Sequence, residues 1–251
     1  MSAVKARGIN VLMLVVATLI GLLAGVINRS AFGESTAANP AILEVVTIDG
    51  NNRSTSSGTG WFLEANGVAV TSSTTVNRAV SAGDRLLTII GNEFYAADLV
   101  CSTRVVDTQG TVTPRADIAE IKLRPSDFPF QRLSGTTGTY TAHTGPLPAF
   151  QTLSMAQGSI DVGQPVMMVN SGTSLGSQVQ VPGVVNSLGT AFDGTRLFGI
   201  RFSGDAPNSG ASGAPVLNNS GQVAGVFAWE DPKTHLGYAQ TVDVLKRCSG
   251  P

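Results

Sequence analysis

From Pro40 onward, turn signals divide the chain into short apolar and β-branched runs, and no other feature limits its fold as strongly. AILEVVTI, GWFL, VAVT, RLLTII, IAEIKL, PVMMVN, LFGIRF, APVLN, QVAGVFAW and LGYAQT are short and bounded by Gly, Pro, Asn and Ser. Such runs read as strands, and their regular spacing predicts an all-β barrel or sandwich. Asn66-Gly67, between WFLEA and VAVT, predicts a two-residue hairpin turn, because this pair tolerates the positive φ angles such a turn needs. Ser220-Gly221 predicts another. Helical pattern in this region is limited to a short turn around Val76 to Ala82 and a terminal one around Val242 to Arg247. The stretch from Arg124 to Ala156 is rich in Pro, Gly, Thr and Ser, and it separates two strand clusters, about 41–123 and about 157–251.

Composition agrees with strands and turns. Only 13% of the 251 residues are charged and 29 are glycine, against about 25% charged in ordinary domains, which argues against a coiled coil or a disordered chain. The net charge of −1 and the lack of any run of like charge remove the footprint of a nucleic-acid binder. No phosphate loop, dinucleotide fingerprint or paired metal-ligand spacing occurs, so neither cofactor nor metal is expected.

The N-terminus has a different chemistry. Lys5 and Arg7 precede an uncharged apolar stretch at 9–27. A membrane-spanning helix needs about 20 residues, whereas the apolar part of a cleavable signal has about 7–15. The expectation is a signal-anchor at 9–27 with a basic tip at 1–8 left in the cytoplasm, a tether at 28–40, and the rest outside the cytoplasm. Cleavage near Ser35-Thr36-Ala37 would instead release the domain. Gly21 and Gly25 form a G-x-x-x-G, compatible with pairing of two copies into a homo-oligomer. Cys101 and Cys248 lack metal-ligand spacing; in an oxidising compartment they can form a disulfide, the alternative being two separate buried thiols.

Chemistry concentrates in DAPNSGASGAP at 205–215. Ser212 stands between glycines in a turn where the N–H groups of Gly210 and Ser212 can converge as an oxyanion hole. GASGAPVLNNSGQVAGV resembles the nucleophile segment of trypsin-like serine proteases, especially the HtrA/Deg type. Three further stretches resemble the same family in its own order. SGTGWFLEANGVAVTSSTTV is similar to the first hairpin and the histidine segment, ADIAEIKL to the stretch holding the catalytic aspartate, and SIDVGQPVMMVNSGTSLGSQVQVPGVVNSLG to the first strands of the second barrel.

The resemblance implies two six-stranded antiparallel β-barrels, with Ser212 at the nucleophile position and Asp117 at that of the aspartate. It also places Thr74 where the family has its histidine. No histidine occurs before His143, and the second, His235, lies near the C-terminus. A serine hydroxyl needs an adjacent base to take its proton, and a threonine hydroxyl cannot serve near pH 7. The sequence therefore predicts a pseudoprotease that binds a peptide or unfolded segment in the cleft between barrels, anchored to the membrane through 9–27. The alternative is an atypical active serine endopeptidase using Ser212, Asp117 and a base the sequence does not identify. Two smaller departures are Ala211, where the family has Asn or Asp, and Ala214, whose methyl is expected to crowd a backbone of unusual φ. The chain ends soon after the terminal helix, so the resemblance is to a form without a PDZ domain.

Overall fold

The computed structural model describes residues 39–103, 116–126, 140–171, 177–191, 193–204, 207 and 210–248. The expected basic tip, signal-anchor and all but the last two residues of the tether lie outside the described residues. Among those described, no helix is long and apolar enough to cross a membrane.

Among the described residues there are thirteen strands, most of them formed by the apolar runs. The first group is β1 (Ile42–Ile48), β2 (Ser54–Glu64), β3 (Val68–Thr71), β4 (Arg85–Ile90), β5 (Glu93–Ser102) and β6 (Ala119–Arg124), with helix α1 (Ser73–Ser81) between β3 and β4. They pair in the order β4-β1-β2-β3-β6-β5, and pairing of β4 with β5 closes the barrel. The two-residue β7 (Thr141–Ala142) adds to β5 in parallel, Phe94 opposite Ala142. The second group is β8 (Pro165–Ser171), β9 (Gln178–Thr190), β10 (Arg196–Phe202), β11 (Pro215–Leu217), β12 (Val223–Asp231) and β13 (Leu236–Thr241), followed by a 3₁₀ helix, Val242–Arg247. It closes as β10-β13-β12-β11-β8-β9. The fold is thus all-β with two closed six-stranded antiparallel barrels.

Each barrel has its own core. Leu43, Val45, Phe62, Ala69, Val76 and Ile121 fill the first, and Val166, Met168, Phe198, Ile200, Val216 and Phe227 the second. Burying a Phe or Leu side chain contributes about 1.5–3 kcal/mol, so β2 and β10, which place Phe62 and Phe198 out of solvent, are anchored by their inward faces.

The β2–β3 hairpin departs from expectation. Glu64 pairs with Val68, so the loop has three residues, and only Gly67 adopts a positive φ, of 95°. A type I turn closed by a left-handed glycine gives this shape, and it requires no positive φ at Asn66. The segment after β7 is stitched across both barrels. Phe150 N–H donates to Ala65 O at 2.9 Å, Leu153 N–H to Phe62 O at 3.1 Å, and Ala156 N–H to Val223 O at 2.9 Å. The Phe150 ring stacks on Phe62 at 4.2 Å. Cys101, near the end of β5, is bonded to Cys248 behind the 3₁₀ helix, with Cα atoms 5.6 Å apart. The bridge ties the C-terminus to the first barrel, worth about 4–5 kcal/mol as an upper figure from chain entropy.

Candidate active site

The first barrel supplies a run of five hydroxyl residues, Thr71 to Thr75, at the junction of β3 and α1. All but Thr74 are buried, and local hydrogen bonds explain why the chain tolerates them there. Thr71 Oγ1 donates to Thr59 O at 2.7 Å. Ser72 caps α1, its Oγ accepting from Thr75 N–H at 3.1 Å. Ser73 Oγ donates to Ile118 O at 2.5 Å, fixing the helix start to the loop that carries Asp117. Thr74 is left facing solvent. Its N–H donates to Asp117 Oδ1 at 2.7 Å, and its Oγ1 lies 3.0 Å and 2.9 Å from Oδ1 and Oδ2. A carboxylate at the first turn of a helix is favoured by the helix dipole as well as by these donors. The second barrel braces the same loop, since Asp117 N–H donates to Oε1 of buried Gln240, 3.0 Å away on β13.

The second barrel supplies the turn before β11. Gly213 has φ of 89°, its N–H donates to Phe227 O at 2.9 Å, and Ala214 N–H donates to Ala211 O at 2.9 Å. The expected strain at Ala214 does not arise. The positive φ belongs to Gly213, and the Ala211 and Ala214 methyls sit in the second-barrel core. Ser212 O accepts from Thr59 N–H at 2.9 Å, while Gly210 O accepts from Thr59 Oγ1 at 2.7 Å. Ser212 N–H has no internal acceptor among the described residues, which suits one arm of an oxyanion hole. The backbones meet very closely. A Cβ on Gly58 would lie 2.8 Å from Ser212 O, and one on Gly213 2.7 Å from Ser72 N.

Among the described residues, the partner of Ser212 Oγ is a carbonyl, Ala228 O, at 3.5 Å. A carbonyl can accept a hydrogen bond but not the proton itself. The histidines are engaged elsewhere. His143 stacks on Tyr95 at 4.6 Å, has Nδ1 3.4 Å from Glu93 Oε2, and Nε2 3.0 Å from Pro146 O. Glu93 Oε2 also accepts from Tyr95 O–H at 2.9 Å; burial first and this carboxylate second push the Tyr95 phenol well up. His235 sits in the β12–β13 turn, Nδ1 3.4 Å from Glu230 Oε1.

A trypsin-like peptidase domain model matches residues 58–226, from the glycine that abuts Ser212 almost to Phe227. The chain belongs to the trypsin-like peptidase family. No curated protein matches the sequence. Solved structures similar to this family member include Deg5, with 17% identity and a TM-score of 0.58 over 88% of this chain and 90% of that one. The active form of the Rv3671c protease from M. tuberculosis has 17% identity and a TM-score of 0.58, covering 88% and 83%. The serine endoprotease from Yersinia pestis has 18% identity and a TM-score of 0.55, covering 84% and 61%. These likenesses describe the fold.

Sequence reasoning missed Thr59, which holds the Gly210 and Ser212 carbonyls and also accepts from Ser171 N–H at 2.9 Å through Oγ1. It missed Gln240 under Asp117 as well. The only available signal for Thr59 was a hydroxyl between two glycines in SGTGW.

Proposed function

We propose that this trypsin-like domain has lost peptidase activity and acts as a peptide- or protein-binding module held outside the cytoplasm by residues 9–27. One observation carries the reading: the Asp117 carboxylate, which in this family orients the imidazole, accepts from both the backbone N–H and the hydroxyl of Thr74. A hydroxyl that donates to a carboxylate has no basicity to offer Ser212. Loss of the base in a hydrolase of this mechanism costs on the order of 10⁶ in turnover, and binding with the oxyanion hole leaves about 10³–10⁴ over water.

Binding remains open to such a site. From Trp229 to Asp231, β12 pairs only with β13 among the described residues, so the edge beside Ser212 suits an added strand. Trp229, 43% exposed and stacked on Tyr238 at 5.3 Å, offers an apolar platform next to it. The Cys101–Cys248 bridge fits an oxidising compartment, and the basic residues before 9–27 fit the orientation.

The test is labelling of the full chain with a serine-directed fluorophosphonate, together with casein cleavage. Wild type should react no faster than Ser212→Ala, and Thr74→His should raise Ser212-dependent labelling by about 10²-fold or more. Casein turnover by the wild type that disappears in Ser212→Ala would overturn the proposal.

A further inference from the structure

Away from Ser212, a groove of about 820 Å³ runs between the segment at 155–161, the ends of β9 and β10, and the 3₁₀ helix. Ala224 of β12 lines it, four residues before the Ala228 that touches Ser212. That separation along an extended strand is about 13 Å, so the two features are distinct places on the molecule. Met155, Leu188, Leu197 and Leu245 give the groove an apolar stretch among polar neighbours, and Met155 and Leu188 are 37% and 53% exposed. The Arg196–Asp243 ion pair, at 2.7 Å, stands on the rim.

Glu120 reaches this groove from the first barrel and is only 8% exposed. Among the described residues none forms a hydrogen bond or ion pair with its carboxyl. Lys246 also lines the groove, yet its ammonium is not within ion-pair distance of Glu120. The nearby sulfurs of Cys101 and Cys248 are bonded to each other and offer no thiolate for a metal. Burial, and after it the charge of Glu64, raises the Glu120 pKa above its ordinary value. An unpaired carboxyl buried to this degree is costly, and a hydrogen-bonded cation relieves it.

We infer that the groove is a second recognition site, taking an apolar peptide segment whose single Arg or Lys side chain reaches the Glu120 carboxylate. The apolar stretch suits the stem and the flanking side chains, while Glu120 supplies the acceptor for a guanidinium or ammonium. Guanidinium is the better fit because it is weakly hydrated and presents a planar fork of donors. This site stands whether or not Ser212 is inert.

The probe is the peptide Ac-Ala-Leu-Arg-Leu-Ala-NH₂ against its citrulline counterpart, which keeps the shape of arginine and removes the charge. Affinities are measured by thermophoresis with the full chain in lipid nanodiscs. The arginine peptide should bind at least tenfold more tightly than the citrulline peptide, and Glu120→Gln should abolish the difference. Leu188→Arg, at an exposed rim position, should weaken the arginine peptide by a similar factor without disturbing the core. Equal affinity of the two peptides for wild type, no binding at millimolar peptide, or a preference that survives Glu120→Gln would overturn the inference. Loss of binding in Trp229→Ala but not in Leu188→Arg would move the peptide to the Ser212 cleft and overturn it equally.

Discussion

The two halves of the Ser212 cleft preserve their geometry by different means. On the second-barrel side the Gly210–Ala214 turn is held through its own backbone groups, with a left-handed glycine and carbonyls that accept from the Thr59 hydroxyl and from the Thr59 and Phe227 N–H groups. On the first-barrel side the Thr71–Thr75 run is held by its own hydroxyls, and its outermost member, Thr74, takes up the carboxylate of Asp117. A backbone-held turn can keep its shape through changes of side chain, as the alanines at 211 and 214 illustrate. Proton transfer has no such tolerance, because it depends on the pKa of one side chain. The contrast explains how the Ser212 turn keeps its shape whatever side chain stands at position 74.

Substitutions can break this comparison, beginning with the most damaging. Gly213→Val adds side-chain atoms where a Cβ would already lie 2.7 Å from Ser72 N, at a φ that β-branched residues avoid. It should cost at least about 4 kcal/mol in urea denaturation. Ala214→Gly, one residue on, should cost only about 1 kcal/mol, a lost methyl plus backbone entropy. Replacing both Cys101 and Cys248 with Ser should remove about 2–5 kcal/mol by the same assay. If that double variant lost nothing, the bridge would not be what holds the C-terminus to the first barrel.

Smaller effects sharpen the distinction. Thr59→Val leaves the Gly210 carbonyl and the Ser171 N–H without their buried partner and should cost about 2 kcal/mol. Thr74→Val, at an exposed pair, should change stability by less than about 1 kcal/mol. Equal costs at the two positions would contradict the division between a structural hydroxyl and a surface one.

The smallest expected effects concern pH, and the two sides of the Glu120 groove should respond with opposite signs. Burial holds Glu120 above its ordinary value of 4.5, with Glu64 adding to the rise. Its folded-state pKa exceeds the unfolded one, so stability falls as pH rises from about 4.5 through the folded value. Glu120→Gln should therefore raise Tm at neutral pH. At Asp243 burial pushes upward, but hydrogen bonds from Thr241 and Arg196 outweigh it and the pKa lies below 3.8. That contribution is present above pH 3.8 and is lost as pH falls through the lower folded value. Asp243→Asn should flatten the acid limb of a Tm-against-pH curve, modestly, because the ion pair is partly exposed.

Much of this was legible in the sequence. Short runs between turn residues require strands, since only pairing and closure satisfy the backbone of so many. The family resemblance supplied the order of segments, and Thr74 and Asp117, 43 residues apart, do meet. Less legible were contacts between residues distant in the chain. Thr59 and Gly210 are 151 positions apart, and Asp117 and Gln240 are separated by 123. The hairpin turn also differed, because strand register added a residue to the loop that the Asn-Gly pair alone does not reveal.

By itself the sequence determined the all-β class, the lack of any histidine before position 143 and the separation of an apolar N-terminal stretch, since each is read directly from residue content and local pattern. Only the tertiary structure decided that Thr59 holds the Ser212 turn, that Ala214 fits without strain and that Glu120 lines a groove with no partner among the described residues. Burial and hydrogen-bond satisfaction belong to the packed molecule, and no spacing along the chain specifies which distant groups become neighbours.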